Sequence, residues 1–265
     1  MRRRNRINQI VADFTRKPLS ECRVLDLASL EGHFSAEMAI RGAREVIGIE
    51  GRQTSIDRAN ELFKYPNLKF VCDDVRNLSR EKYGEFDIVL CLGILYHLDA
   101  PDCFKFLESI AEVCTGFAVI DTHAAQFSTE TVEYKGKTYH GARFVEYEQE
   151  PSAEEQESKT WASIGNTTSF WATRPSLVNS IADAGFTSVC ESWFPAFNDL
   201  PADRVTFICV KGEKQKVLAE QFDENILNER VDEVPRVPPV LVQPEKTSTL
   251  KQALGKTARK LGLRK

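Results

Sequence analysis

No apolar run in this 265-residue sequence approaches the roughly 20 residues that a membrane-crossing helix requires, so a transmembrane protein is not expected. The opening Met1-Arg-Arg-Arg-Asn-Arg-Ile-Asn is basic, yet no apolar segment follows it, which argues against a secretory signal. Paired cysteine motifs are missing too. Cys22, Cys72, Cys91, Cys103, Cys114, Cys190 and Cys209 are odd in number, scattered, and form no CxxC. That excludes a disulfide framework or zinc knuckle as the organising device and favours a reducing, cytoplasmic location. Several of these cysteines fall inside apolar runs, where the residue behaves as a small buried hydrophobe. There is no internal repeat. At 42% hydrophobic and 28% charged, the chain is too apolar for a disordered protein. Its length suits one large domain with extensions, or at most two domains.

The net charge of −4 is unevenly spread. Residues 1–6 carry four arginines, and residues 247–265 carry six Lys or Arg and no acid. Removing those ten positives leaves −14 on residues 7–246. An acidic body repels phosphate backbones, which disfavours a nucleic acid held by that body and favours a small-molecule partner.

From Cys22 to about Gly116 short apolar runs alternate with helix-period segments. Five strands are expected: Arg23–Leu27, Glu45–Glu50, Leu68–Cys72, Phe86–Leu92 and Phe117–Asp121. Phe34, Met38 and Ala43 mark the helix after the first, and Ile56, Ala59, Leu62 and Phe63 the helix after the second. Phe104, Leu107, Ala111 and Cys114 mark the helix before the fifth. After His123 the pattern breaks into a hairpin around Lys135-Gly-Lys and an acidic stretch near Glu154–Glu157. A helix beginning at Pro175 and stopped by Gly185 restores the rhythm. The runs Thr187–Trp193 and Arg204–Val210 then close the domain, too near in sequence for a crossover, so antiparallel.

The fold class expected is α/β. It is a doubly wound, Rossmann-like seven-stranded sheet, mostly parallel with an antiparallel last strand and a lid insertion after strand five. The boundaries are a basic N-terminal helix or arm over 1–20, a main domain over 21–212 with the insertion at 124–172, and a linker with a basic tail over 213–265. The tail's apolar stripe (Leu250, Leu254, Ala258, Leu261) suggests a weak contact with an anionic membrane surface, or simply a solvated tail.

Such sheets bind ligands beyond the carboxyl ends of their strands. There the sequence places Asp26-Leu-Ala-Ser-Leu-Glu-Gly32, Glu50-Gly-Arg, Asp73-Asp74-Val75 and Gly93-Ile-Leu-Tyr96-His97. Glu50 can accept two ribose hydroxyls, Asp73 or Asp74 an adenine amine, and Asp26 can favour a cationic amino group. Three acids around one adenosine suit a positive ligand without phosphate, such as S-adenosylmethionine. A dinucleotide needs glycine-cradled amides, and the loop lacks G-x-G-x-x-G, with Ala28 and Leu30 where glycines would be expected.

On these segments the chain resembles the class I S-adenosylmethionine-dependent methyltransferases. The likeness runs from about Cys22 to Gly212. Phe86–Pro101 is most similar to the branch with tRNA wobble-uridine carboxymethyl transferases and many small-molecule methyltransferases. The resemblance implies that Asp26, Ala28 and Gly32 form the methionine-side loop and that Glu50 holds the ribose. It further implies that Asp73, Asp74 and Val75 meet the adenine, and Leu92 and Gly93 the cofactor's inner edge. The family's loop usually reads Asp-x-Gly-x-Gly-x-Gly; here only Gly32 remains.

Two histidines are candidates for the base that takes the acceptor's proton: His97, and His123 with Asp121 to orient it. Either can equally be a packed or strand-end polar residue. Tyr96, Tyr139, Asn166 and Trp171 are candidates for the acceptor pocket. No metal is expected, because the spacing of Asp121, His123 and His140 matches no recognised ligand pattern. The activity expected is methyl transfer from S-adenosylmethionine to an oxygen, or less readily a nitrogen, of a small acceptor. The rivals are a tRNA-modifying transferase, an NAD-dependent oxidoreductase and a non-catalytic cofactor-binding protein.

Overall fold

Alternation of side chains along five strands decides how the core divides. In the computed structural model, which describes residues 2–193 and 203–213, the strands are β1 (Arg23–Leu27), β2 (Glu45–Glu50), β3 (Leu68–Cys72), β4 (Phe86–Leu92) and β5 (Cys114–His123). Val24, Val46, Ile88, Leu90, Phe117 and Val119 face one way. Leu25, Leu27, Ile47, Ile49, Val89, Cys91, Ala118 and Ile120 face the other. Strands buried on both faces require helices on both sides.

The first face is covered by α1 (Arg2–Phe14) and α2 (His33–Ile40), through Ile7, Ile10 and Val11 of the former and Met38 and Ala39 of the latter. Opposite lie α5 (Asp102–Val113) and α7 (Arg174–Asp183), through Phe106, Leu107, Ile110, Leu177 and Ile181. The helix α3 (Gln53–Leu62) packs Ile56 and Ala59 on Phe70, and the single turn α4 (Arg80–Tyr83) precedes β4. Pro175 stands in the first turn of α7, and Gly185 follows its end at φ +109°.

The main sheet has the order β3-β2-β1-β4-β5-β10-β9, with β9 (Ser188–Glu191) and β10 (Arg204–Val210). The first five strands are mutually parallel, and β10 runs antiparallel to both β5 and β9. This is the expected sheet. One boundary moves: Cys114, read as the end of a helical stripe, already pairs with Phe86 as the first residue of β5.

The insertion is more regular than its hairpin signal suggested. The strands β6 (Glu130–Tyr134) and β7 (Lys137–Val145) join through Lys135-Gly136, both at positive φ, the two-residue turn that matches strand twist. A third strand, β8 (Thr168–Ala172), pairs antiparallel with β7, and the acidic stretch forms α6 (Ala153–Ser158) capped by Ser152. Phe104 of α5 stacks on Tyr139 at 4.5 Å and fixes this small sheet to the domain. No helix among the described residues is long and apolar enough to cross a membrane. The linker and basic tail expected beyond residue 213 lie outside the described residues.

Candidate functional site

The loop after β1 keeps a run of left-handed backbone with only one glycine in it. Ala28 (φ +53°), Leu30 (φ +50°) and Gly32 (φ +77°) are all left-handed. Left-handed backbone costs a non-glycine residue roughly 1–2 kcal/mol, so Ala28 and Leu30 hold strain that the surrounding contacts must offset. Gly32 cannot be replaced so readily, since a Cβ there would lie 2.3 Å from the Phe70 ring.

Parity puts Asp26, Glu50 and Asp121 on the sheet face that α1 and α2 cover. Asp26 is buried and accepts from the Ser35 hydroxyl at 2.6 Å. Burial pushes its pKa up to about 7, only partly opposed by Ser35 and Arg3. Glu50 is 1% exposed. The Leu30 amide donates to one of its oxygens and the Arg52 amide to the other, each at 3.0 Å. The Arg52 guanidinium donates to the carbonyls of Gln156 (2.9 Å), Lys159 (2.8 Å) and Ala162 (2.7 Å), tying α6 and the chain after it across the end of β2.

At the end of β3, Asp73 accepts from Lys82 (2.6 Å), Asn77 (2.9 Å) and the Tyr83 hydroxyl. Burial pushes Asp73 up, but these donors outweigh it and hold the carboxyl at about 2. Asp74 caps the short turn Val75–Asn77 through the Arg76 amide at 2.8 Å and pairs with the Arg76 guanidinium. Val75 is buried beneath it.

Beyond β4 the turn Leu95–His97 presents Tyr96 and His97. His97 Nδ1 lies 3.0 Å from an oxygen of Glu146, whose buried carboxylate also accepts from Ser169 Oγ (2.9 Å) and the Ser163 amide (3.1 Å). Trp171 donates its indole N–H to the Tyr96 carbonyl at 2.9 Å and stacks between His123 (4.9 Å) and Phe144 (4.8 Å). Tyr96 meets His123 edge-on at 4.6 Å. The structure therefore gathers Tyr96, His97, His123 and Trp171 into one cluster. Asn166 braces it from behind, donating to the His97 carbonyl at 3.0 Å. Tyr139 stands apart, buried against Phe104 with its hydroxyl on Asp183 at 2.7 Å.

Asp121 does not orient His123. It accepts instead from Arg3 (2.9 Å), Arg204 Nε (2.7 Å) and Thr206 Oγ1 (2.8 Å), because β10 sets Thr206 directly opposite it. Burial pushes Asp121 up, yet Arg3 and Arg204 bring it below the usual carboxylate value. The carboxylate near His123 is Asp203, whose Oδ2 is 3.2 Å from Nδ1. Burial lowers the His123 pKa, and Arg204 adds to that. Among the described residues, no three His, Cys, Asp or Glu side chains are grouped to hold a metal.

Sequence reasoning missed Glu146, Asp203, Arg3, Arg204 and Arg52, all of which act across long separations. A groove of about 180 Å³ lined by Phe14, Lys17, Cys22, Asp87 and Lys211 lies at the amino ends of the strands, away from this chemistry.

Comparison with known families bears on the same segment. Residues 24–116 match the family described as a methyltransferase domain. Those residues of the chain carry a methyltransferase domain. The chain is 33% identical over 88 residues to a tRNA U34 carboxymethyltransferase of Desulforapulum autotrophicum, covering 31% of this chain and 26% of that protein. It is 31% identical over 102 residues to a ubiquinone biosynthesis O-methyltransferase of Bordetella pertussis, covering 38% and 39%. The matches thus span well under half of either curated relative. Among solved structures, the N-terminal domain of EvdMO1, crystallised with SAH and D-fucose, superposes with a TM-score of 0.61 at 22% identity, covering 78% of this chain and 82% of that one. Magnesium protoporphyrin IX methyltransferase of Synechocystis PCC 6803, with bound SAM, gives 0.51 at 14% identity, covering 79% and 80%. At these identities the likeness of the methyltransferase domain to both is one of fold.

Proposed function

We propose that this chain is an S-adenosylmethionine-dependent methyltransferase acting on an oxygen of a small-molecule acceptor. The observation that carries the reading is Glu50, a buried carboxylate at the end of β2 whose two oxygens are aimed by the Leu30 and Arg52 amides. Each oxygen keeps a lone pair for a ribose hydroxyl. Asp26 supports it: a carboxyl that burial pushes up to about 7 gains most from a neighbouring cationic amino group. Glu50 and Asp26 are the acids that a positive, phosphate-free cofactor would meet. Asp73, Asp74 and Val75 would border the adenine; Ala28, Gly32, Leu92 and Gly93 would line the methionine side.

Bound there, the cofactor supplies an electrophilic methyl on a positive sulfur. The chain's task is alignment and removal of one proton. Glu146 holds His97 through Nδ1, which leaves Nε2 to accept the acceptor's hydroxyl proton. His123, stacked on Trp171, is the second histidine within the same cluster. Tyr96 and Trp171 form the acceptor wall, and residues 124–172 act as the acceptor-selecting lid.

Titration calorimetry of the chain with S-adenosylmethionine, comparing Glu50→Gln, tests the reading. The variant removes the negative charge and turns one acceptor oxygen into an N–H donor, which should weaken binding by about tenfold or more. Unchanged affinity would overturn it. A tRNA acceptor is the second reading, favoured by the likeness to the tRNA U34 enzyme. Salt-dependent retention of tRNA in filter binding would support it, against the charge of the acidic body.

A further inference from the structure

Three polar groups from distant parts of the chain converge at the end of β4. A Cβ built on Gly93 would lie 3.3 Å from Arg204 Nη2, 3.5 Å from Arg3 Nη2 and 3.7 Å from the Tyr96 hydroxyl. Gly93, at φ +105°, leaves that point open. Arg3 comes from α1 and also lies over the Phe34 ring, 5.6 Å from its centroid, at the start of α2. Arg204 comes from β10 and lies over Tyr96 at 5.2 Å.

The charges do not balance. Both guanidiniums donate to the same oxygen of Asp121, and Thr206 takes the other. Arg6 also faces Asp121 and Arg3 also faces buried Asp26, so three guanidiniums meet two carboxyls and leave a surplus of one positive charge beside the place where the cofactor would sit. Arg3 Nε is in addition a buried donor without an acceptor among the described residues. An unmet buried N–H and a surplus cation in one cleft are both costly unless an anion completes them.

We propose that Arg3, Arg204 and the Tyr96 hydroxyl form a carboxylate subsite, so that α1 is part of the ligand-binding machinery. Planar guanidiniums flanking one point suit a carboxylate's paired oxygens. The carboxylate belongs either to the amino-acid end of the cofactor or to the acceptor. This rests on the methyltransferase reading above.

The test uses the full chain and Arg3→Met, which leaves Asp121 paired with Arg204, together with Arg3→Lys and Tyr96→Phe; melting curves report folding. Three ligands are titrated: S-adenosylhomocysteine, 5′-methylthioadenosine (which lacks the amino-acid end), and benzoate added to the S-adenosylhomocysteine complex. If the subsite holds the cofactor's carboxylate, Arg3→Met weakens S-adenosylhomocysteine by about tenfold or more while 5′-methylthioadenosine is unchanged. If it holds the acceptor's, both nucleosides bind as before and benzoate weakens by about tenfold or more. In either case Arg3→Lys recovers part of the loss and Tyr96→Phe shows a smaller one. A folded Arg3→Met that binds all three ligands like the parent overturns the subsite. Failure of the parent to bind either nucleoside overturns the cofactor reading itself, and the subsite with it.

Discussion

Asp26 ties stability to pH in an unusual direction. Among the described residues its carboxyl has no cation in direct contact, its partners being the hydroxyl and the backbone N–H of Ser35, and burial pushes its pKa from 3.8 up to about 7. An ordinary acid is stabilised in its charged form by folding; this one binds its proton more tightly in the folded state. Stability therefore falls as pH rises from the unfolded value near 4 to the folded value near 7, and levels off above that. Three pKa units at roughly 1.36 kcal/mol each make the ionised carboxylate cost the ligand-free fold about 4 kcal/mol at pH 8. Asp26→Asn keeps the shape and an acceptor for Ser35 but cannot ionise. Urea unfolding of both proteins from pH 4 to 8 should show the variant more stable by up to about 4 kcal/mol at the alkaline end, the gap closing near pH 4. A cationic ligand beside Asp26 relieves the cost, so affinity for S-adenosylmethionine should rise by up to about tenfold per pH unit below 7 and flatten above. Parallel pH curves for parent and Asp26→Asn would refute the reasoning.

His97→Asn and Glu146→Gln should each lower the rate constant for methyl transfer, by about 100-fold or more for the histidine and less for the carboxylate that only orients it, with cofactor affinity kept. Single-turnover measurement with any accepted substrate checks this. Ala28→Gly should stabilise the chain by about 0.5 kcal/mol, the reverse of the usual sign for Ala→Gly, since relief of left-handed strain outweighs the loss of a half-buried methyl. A melting temperature below the parent's would contradict it.

The main sheet was legible because each strand carries its own signal. Runs such as Val24-Leu25 and Ile88-Val89 are apolar on both faces, and their spacing leaves room only for crossovers. The same local logic located Asp26, Glu50 and Asp73 at strand ends, and the parity that Asp26 and Glu50 share can be counted from the letters. The short strand Thr168–Ala172 escaped notice because its identity as a strand comes from β7, on which it pairs, rather than from its five residues.

What a sequence alone determines here is whatever repeats over a few residues: periodicity, turn chemistry, the loop that opens α2. Only the tertiary structure decided which carboxylate serves which cation. Asp121 looked like a companion for its neighbour His123, yet it belongs to Arg3, 118 positions away, and Arg204, 83 positions away. His97 found Glu146 across 49 residues, and Arg52 reached the lid across 104. Charges pair by distance in space and by how far water is excluded, and neither quantity is written in the order of the letters.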